Sequence, residues 1–243
     1  MDKYGIIGFP LGHSFSRGFF TEKFAREGID AQYLNFEIPD ATMLLDILRK
    51  NPELRGLNVT LPHKQAVIPL LDELSDEARE IGAVNVIRVR DGKLKGFNSD
   101  IIGFTESIKP LLRPHHTKAL ILGTGGASRA IRVGLSRLGI EWTYVTRSPR
   151  EKMLAYYDLT PEVMEEYTVI VNCSPVGMFP KVNDAPAIPY EFLTPKHLLF
   201  DLVYNPEDTL FMKKGREQGA TVKNGLEMLH LQAIASWHFW NED

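Results

Sequence analysis

The run Gly123-Thr124-Gly125-Gly126-Ala127-Ser128-Arg129 follows the apolar stretch from Ala119 to Leu122 and precedes a helical pattern reaching about Leu138. A strand that stops at glycine and enters a helix through glycine and alanine commits this part of the chain to a strand-turn-helix unit. Only small residues permit so tight a turn and so close a helix on the sheet. The backbone N–H groups at the helix start lie at the positive end of its dipole, an arrangement that suits a pyrophosphate. Gly123 and Gly125 match the first two positions of a dinucleotide fingerprint, with Gly126 and Ala127 opening the helix, whereas Ser128 stands at the third, where Gly or Ala is usual. A turn needing small residues for packing alone is the competing explanation.

The rest of the chain repeats the same grammar. Strands are expected at Tyr4 to Phe9, Gln32 to Phe36 and Gly56 to Thr60, with helices at Ser16 to Glu27 and Ala41 to Asn51, and Lys64 at the start of a further helix. This alternation predicts an α/β fold with a mostly parallel sheet. Ala83 to Val89 and Lys93 to Phe97 flank Asp91-Gly92, a pair suited to a two-residue hairpin, so the first sheet is expected to end in that antiparallel edge. Ile101 to Leu112 reads as a helix running into Arg113-Pro114-His115-His116, and a domain boundary is placed near residue 102. A second series follows, with strands at Trp142 to Thr146, Val169 to Asn172, Leu198 to Asp201 and Thr221 to Lys223, and a helix at Glu207 to Gln218. The last helix, Gly225 to Trp240, carries Leu226, Leu229, Ala233, Ile234 and Trp237 on a face that must pack.

Charge and cysteine usage narrow the class. With 28 Lys plus Arg against 31 Asp plus Glu, the formal charge of -3 offers no broad field for a nucleic-acid backbone. The single cysteine, Cys173, excludes an internal disulfide framework and a multi-cysteine metal site, and is expected to be a small buried apolar residue; no metal is expected. The start Met1-Asp2-Lys3-Tyr4-Gly5 lacks the basic and apolar regions of a signal peptide, and no apolar run approaches a membrane span. A soluble, cytoplasmic protein without a membrane partner is expected.

In NAD-binding folds an acid near the end of the second strand grips the ribose 2′-hydroxyl, but Tyr144-Val145-Thr146-Arg147-Ser148 offers hydroxyls and a guanidinium. Arg147, with Thr146 beside it, suits a 2′-phosphate through charge-assisted bonds, which points to NADP. Four polar runs mark the first domain: His13-Ser14-Phe15-Ser16, Asn58 to Lys64, Gly82-Ala83-Val84-Asn85, and Asn98-Ser99-Asp100. Ser14, Ser16, Asn58 and Thr60 fall at or beyond the carboxyl ends of expected parallel strands, where open sheets place their ligands. Taken singly each has an ordinary explanation: Ser16 and Asp100 can cap helices, and Asn58 and Asn85 can close turns. Lys64 and Asp100 form the sharper pair, because an amine can give a proton to the oxygen of a ketone under reduction and a carboxylate can orient it.

Over its whole length the chain resembles the shikimate dehydrogenase family. The resemblance rests on Gly8-Phe9-Pro10 with His13-Ser14-Phe15-Ser16, Asn58 to Lys64, Gly82 to Asn85, Asn98 to Asp100 with Gly103, Gly123 to Arg129, Asn172 to Gly177, Asp201 to Tyr204, and Asn224 to Leu229 with Gln232-Ala233. It implies NADP-dependent reduction of 3-dehydroshikimate to shikimate, with Lys64 and Asp100 as the catalytic pair. It implies Ser14 and Ser16 on the substrate carboxylate; Asn58, Thr60, Asn85, Tyr204 and Gln232 around the ring; and the Gly225 amide near the nicotinamide. It further implies a substrate-binding domain of residues 1–102 plus 225–243 and an inserted Rossmann-like NADP-binding domain of residues 103–224, in a monomer or homodimer. Arg17 replaces a usual proline, the stretch from Arg147 to Val169 is short, and Asp243 falls where members commonly continue into another helix. Dehydrogenation of quinate or a related polyol is a second enzymatic reading, and a non-catalytic shikimate-binding regulator a third. A methylene-folate or tRNA-linked reductase explains the glycine turn but leaves Ser14, Ser16 and Asn58 without roles.

Overall fold

The computed structural model describes residues 1–12 and 15–241; Ser14 lies outside the described residues. Two compact units emerge, one of Met1–Asp100 with Gln232–Asp243 and one of Ile101–Leu231.

In the first unit the elements run β1 (Asp2–Gly8), α1 (Phe15–Glu27), β2 (Ala31–Glu37), α2 (Leu44–Lys50), β3 (Leu54–Val59), β4 (Glu73–Leu74), α3 (Asp76–Ile81), β5 (Val86–Arg90) and β6 (Lys93–Phe97). The sheet order is β2-β1-β3-β5-β6-β4. β1 pairs in parallel with β2 and β3, while β5 is antiparallel to both β3 and β6. The β5–β6 hairpin turns on Asp91 and Gly92 at φ 51° and 74°, the positive values that match the right-handed twist of its strands.

Two expectations are corrected, and one further helix is found. The sheet does not end at the hairpin, because β4 pairs in parallel with β6 through Glu73↔Lys95 and Leu74↔Gly96; two residues are too few for an alternation to show. Helix α3 had no counterpart in the sequence reading, although Ser75 caps it by accepting from the Ala78 N–H at 3.1 Å and Gly82 ends it at φ 69°. Lys64 does not open a helix: residues 61–67 form consecutive turns that lead into a single 3-10 turn at Ile68–Leu70. Pro62 and Pro69 lack the N–H groups a continuous helix would use.

The second unit runs from α4 (Asp100–Ile108), whose first residue belongs to the first unit, through β7 (Lys118–Leu122), α5 (Gly126–Arg137), β8 (Glu141–Thr146), β9 (Leu154–Ala155), α6 (Pro161–Glu166), β10 (Val169–Asn172), β11 (Leu198–Asp201), α7 (Leu210–Glu217) and β12 (Thr221–Lys223) into α8 (Leu226–Asn241), whose residues from Gln232 belong to the first unit. Its sheet, ordered β12-β11-β10-β7-β8-β9, is parallel throughout. Continuous apolar runs such as Ala119 to Leu122 and Val169 to Val171 are fully buried, as a parallel sheet covered on both faces requires. The division between units at Leu231/Gln232 falls inside α8, a continuous helix with no linker to mark it.

The C-terminal part of α8 completes the core of the first unit. Tyr4, Phe20, Phe24, Tyr33, Val86, Phe97, Ala233 and Trp240 are buried together, with Trp237 and Phe239 packed against them. These aromatic residues therefore pack internally, whereas Ile234, expected on the packed face, is half exposed. Trp240 sits over the backbone of β3 and donates its indole N–H to the Ile87 carbonyl at 3.1 Å. A Cβ on Gly56 would lie 2.3 Å from that ring, so glycine is the residue that admits it. No helix among the described residues is long and apolar enough to cross a membrane.

Gly56→Ala should overpack this contact and destabilise the protein by about 1–3 kcal/mol in urea unfolding. An unchanged unfolding midpoint would show that Trp240 can withdraw freely.

Candidate functional site

In the first unit the described residues of the polar runs meet at the carboxyl ends of β1 and β3. Lys64 Nζ lies 2.6 Å from Asp100 Oδ2, with the two side chains 13% and 3% exposed. Asn85 Nδ2 donates to the other carboxylate oxygen, Oδ1, at 3.0 Å. The Asn85 carbonyl oxygen Oδ1 in turn accepts from the Ser99 N–H at 2.7 Å, and Asn98 Oδ1 accepts from the Asp100 N–H at 3.0 Å. Asp100 thus opens α4, where the helix dipole favours a negative charge. The Lys64 main chain is held as well, its carbonyl accepting from the Val84 N–H at 2.7 Å. A mostly buried ammonium fixed against a carboxylate whose second oxygen is already occupied can pass a proton to a ligand without losing its orientation.

Asn58 Nδ2 donates to Ser236 Oγ at 2.9 Å, and its Oδ1 accepts from the Tyr33 hydroxyl at 2.7 Å. Ser16 hydrogen-bonds the same tyrosine, whose phenol is raised by burial, with the Ser16 bond opposing. Thr60 follows β3, its N–H bonded to the Ile7 carbonyl at 2.9 Å, and Gln232 is half-buried on α8. The first unit therefore brings together Lys64, Asp100 and Asn85, and links Ser16, Asn58 and the Gln232 turn of α8 through Tyr33 and Ser236. Neither of these two residues stands out in the sequence. Tyr33 reads there as an ordinary strand aromatic and Ser236 as a helix position.

Tyr204 lies in the second unit, just after β11. Its segment is tied down by Asp201, which is fully buried and accepts from Asn172 Nδ2 at 2.9 Å, the Val203 N–H at 3.0 Å and the Thr209 hydroxyl at 2.7 Å. Burial outweighs these donors and raises the Asp201 carboxyl to about 6.

The glycine turn is built as its residues require. Gly123 has φ 100°, Gly125 is the N-cap of α5, and a Cβ on Gly125 would meet nothing within 4 Å. Ser128 is fully buried and its hydroxyl donates to the Gly125 carbonyl at 2.7 Å, which explains how a hydroxyl is tolerated at the third position. Beside the turn a groove of about 550 Å³ is lined by Thr124, Arg129, Arg132, Trp142, Tyr144, Thr146, Ser148, Arg150 and Met153. Its hydroxyls, aromatic rings and three guanidiniums fit an adenosine carrying an additional phosphate. Arg147 is exposed but does not line the groove; it lies near Tyr156. Strand alternation accounts for this, since Tyr144 and Thr146 face the groove and Val145 the opposite core. Arg129 and Arg132 are one helical turn apart on α5, a spacing that could have marked them in the sequence. Gly225 faces backbone, because a Cβ there would lie 2.3 Å from the Leu202 carbonyl oxygen. Cys173, expected to be buried, is partly exposed.

The sequence model of the shikimate dehydrogenase substrate binding domain matches residues 6–87. A shikimate dehydrogenase (NADP(+)) of Desulforamulus reducens is 36% identical over 259 residues, spanning 97% of this chain and 88% of the relative. The crystal structure of shikimate dehydrogenase from Aquifex aeolicus superposes with a TM-score of 0.88 at 35% identity, covering 100% of this chain and 93% of that one. A Thermus thermophilus shikimate 5-dehydrogenase in complex with NADP(H) and shikimate gives 0.87 at 31% identity, over 99% of this chain and 94% of that one.

Because the folded carboxyl of Asp201 sits at about 6 against an ordinary 3.8, its contribution to stability is present below the unfolded value and is lost as pH rises through about 6. Asp201→Asn has no charge to desolvate, so its stability relative to the parent should improve by about 1 kcal/mol between about pH 5 and about pH 8 in urea unfolding. A difference that is the same at both pH values would refute the raised carboxyl.

Proposed function

Since the chain belongs to the shikimate dehydrogenase family, we propose that it interconverts 3-dehydroshikimate and shikimate with NADP, using Lys64 and Asp100 as the proton-transfer pair. The observation that carries this reading is the Lys64–Asp100 contact at 2.6 Å, held by Asn85 within a half-buried polar site. A reduced nicotinamide held by the second unit would supply the hydride for the new C–H bond at the former ketone carbon. Lys64 gives a proton to the oxygen that becomes the hydroxyl, and in the reverse direction takes it back. Asp100 orients the Lys64 nitrogen in both states and balances its charge while it is protonated. Ser14, Ser16, Asn58, Thr60, Asn85, Tyr204 and Gln232 are proposed to bind the substrate carboxylate and hydroxyls. The unit of Met1–Asp100 with Gln232–Asp243 is assigned to substrate and the unit of Ile101–Leu231 to cofactor.

Phosphate binding is assigned to Gly123, Gly125, Gly126 and Ala127, and the 2′-phosphate to Thr146, Ser148 and the guanidiniums of Arg129 and Arg150, with Arg147 flanking. Gly225 is placed near the nicotinamide. Growth of absorbance at the reduced nicotinamide band with shikimate and NADP, and its near absence with quinate or NAD, is the expected result. Turnover of quinate alone would transfer the assignment to the related polyol, and turnover of neither substrate would favour a non-catalytic binding protein.

Lys64→Ala should lower turnover by about 10² to 10⁴ with NADP affinity nearly unchanged, since negative charge on the ketone oxygen develops only as hydride arrives. Asp100→Asn should act on the same step, so the double variant should lose much less than the product of the two single losses. A Lys64→Ala enzyme with normal turnover and only a raised Michaelis constant would make Lys64 a binding residue.

Arg147→Ala and Arg150→Ala separate the flanking arginine from a groove-lining one as a ligand of the 2′-phosphate. Loss of a charged hydrogen bond worth ~1.5–3 kcal/mol should lower the NADPH-to-NADH preference roughly tenfold or more. Arg150 is expected to show the larger loss because it lines the groove. Equal weakening of both cofactors would assign that arginine to fold support.

A further inference from the structure

Asn58 is held at both ends of its amide, and the direction of the hydrogen bonds can be read from one end. Ser236 lies on α8 with its Oγ 2.8 Å from the Gln232 carbonyl four residues earlier. A carbonyl only accepts, so the single hydroxyl proton of Ser236 is committed to it. Toward Asn58, at 2.9 Å, Ser236 Oγ must therefore accept, which identifies the facing atom as Nδ2. Oδ1 then faces Tyr33, and the phenol must donate across 2.7 Å. The Tyr33 ring is itself stacked on Phe20, with centroids 5.0 Å apart and planes 11° from parallel, so its hydroxyl is aimed by the core. The remaining contact of Asn58 Nδ2 is a long 3.5 Å approach to the Asn85 carbonyl. An N–H so weakly engaged remains available to a ligand oxygen, and the second lone pair of Oδ1 can take a ligand hydroxyl.

We propose that Tyr33 and Ser236 are positioning residues that lock the Asn58 amide in one of its two flips, so that a polyhydroxylated substrate meets a fixed donor and a fixed acceptor. The proposal rests on the assignment of Asn58 to the substrate site. An amide free to flip would present donor and acceptor interchangeably and would have to be ordered at each binding event. The lock moves that ordering into the folded protein: its anchor is a helix carbonyl at one end and an aromatic stack at the other. Both anchors belong to the same unit as Asn58.

The test combines kinetics with the side-chain amide resonance of Asn58, assigned by its loss in Asn58→Asp. In the parent protein without ligand the two Nδ2 protons should give a pair displaced from free-amide shifts and exchanging slowly with solvent. A pair at free-amide shifts that exchanges fast with solvent in the parent would overturn the lock without any variant. Ser236→Ala and Tyr33→Phe should each move that pair toward free-amide shifts and exchange rates. Each should raise the Michaelis constant for shikimate about three- to tenfold, with a smaller change in turnover and none in the Michaelis constant for NADP. Because both act on one amide, with Tyr33 also bonded to Ser16, the double variant should exceed the Tyr33→Phe variant only slightly. Retention of the parent resonances and Michaelis constant in both variants overturns the proposal, as does an equal loss with respect to both substrates. If the parent turns over neither shikimate nor quinate, the catalytic reading fails by itself. The resonance of Asn58 in parent and variants still decides the lock.

Discussion

The amide of Asn85 is the joint on which the ionic pair depends. Taking an ammonium and a carboxylate out of water costs more than their mutual attraction returns unless the remaining lone pairs and protons are also satisfied. At Asp100 one oxygen takes Lys64 and the other takes Asn85 Nδ2, while Asn85 Oδ1 is in turn occupied by the Ser99 N–H. Asn85 also contributes its main chain, whose carbonyl accepts from the Val59 N–H at 2.8 Å and whose N–H donates to the Phe97 carbonyl at 3.1 Å. The antiparallel departure of β5 from an otherwise parallel neighbourhood therefore has a chemical consequence. It places Asn85 at the level of the β3 end, within reach of both Lys64 and the start of α4.

The second unit meets the same problem, how to carry polar groups at strand ends above an apolar sheet, with different means. Its turn relies on backbone N–H groups and on Gly123 at positive φ, and its one deeply buried carboxylate, Asp201, is held by neutral donors rather than a cation. Without a cation, burial wins and the carboxyl is raised, whereas its three hydrogen bonds still pin the chain at Asn172, Val203 and Thr209. Asp100 thus has an ammonium partner, whereas Asp201 is held by neutral donors. Asp201 serves to order loops.

What was legible in the sequence is what is local in it. The glycine turn, the Asp91-Gly92 hairpin, the parallel strands from Val169 and Leu198, and the run ending at Lys64 are all encoded within a few consecutive residues. Tyr33 and Ser236 were not legible, because each matters only through a partner 25 or 178 positions away, fixed by strand register and helix rotation. The two-residue strand β4 is too short for periodicity, and α3 is short enough that its Ser75 and Gly82 caps carry more signal than its apolar pattern. Lys64 was placed in a helix because it follows a strand in an α/β pattern; proline chemistry on either side overrode that rule.

Net charge illustrates the remaining limit of composition. The value of -3 argues against a polyanionic partner, yet three guanidiniums, those of Arg129, Arg132 and Arg150, line one groove beside the glycine turn. Averaged over the chain these cations are outweighed, but at short range a ligand feels the groove rather than the sum. Arg132 lies over the Trp142 ring with its guanidinium carbon 5.7 Å from the centroid, so part of its cation is already engaged and its position restrained. Arg150 lines the same groove and is exposed. A small anion with several phosphate groups can collect all of these contributions within one Debye length, while a long uniform polyanion would meet the acidic remainder of the surface.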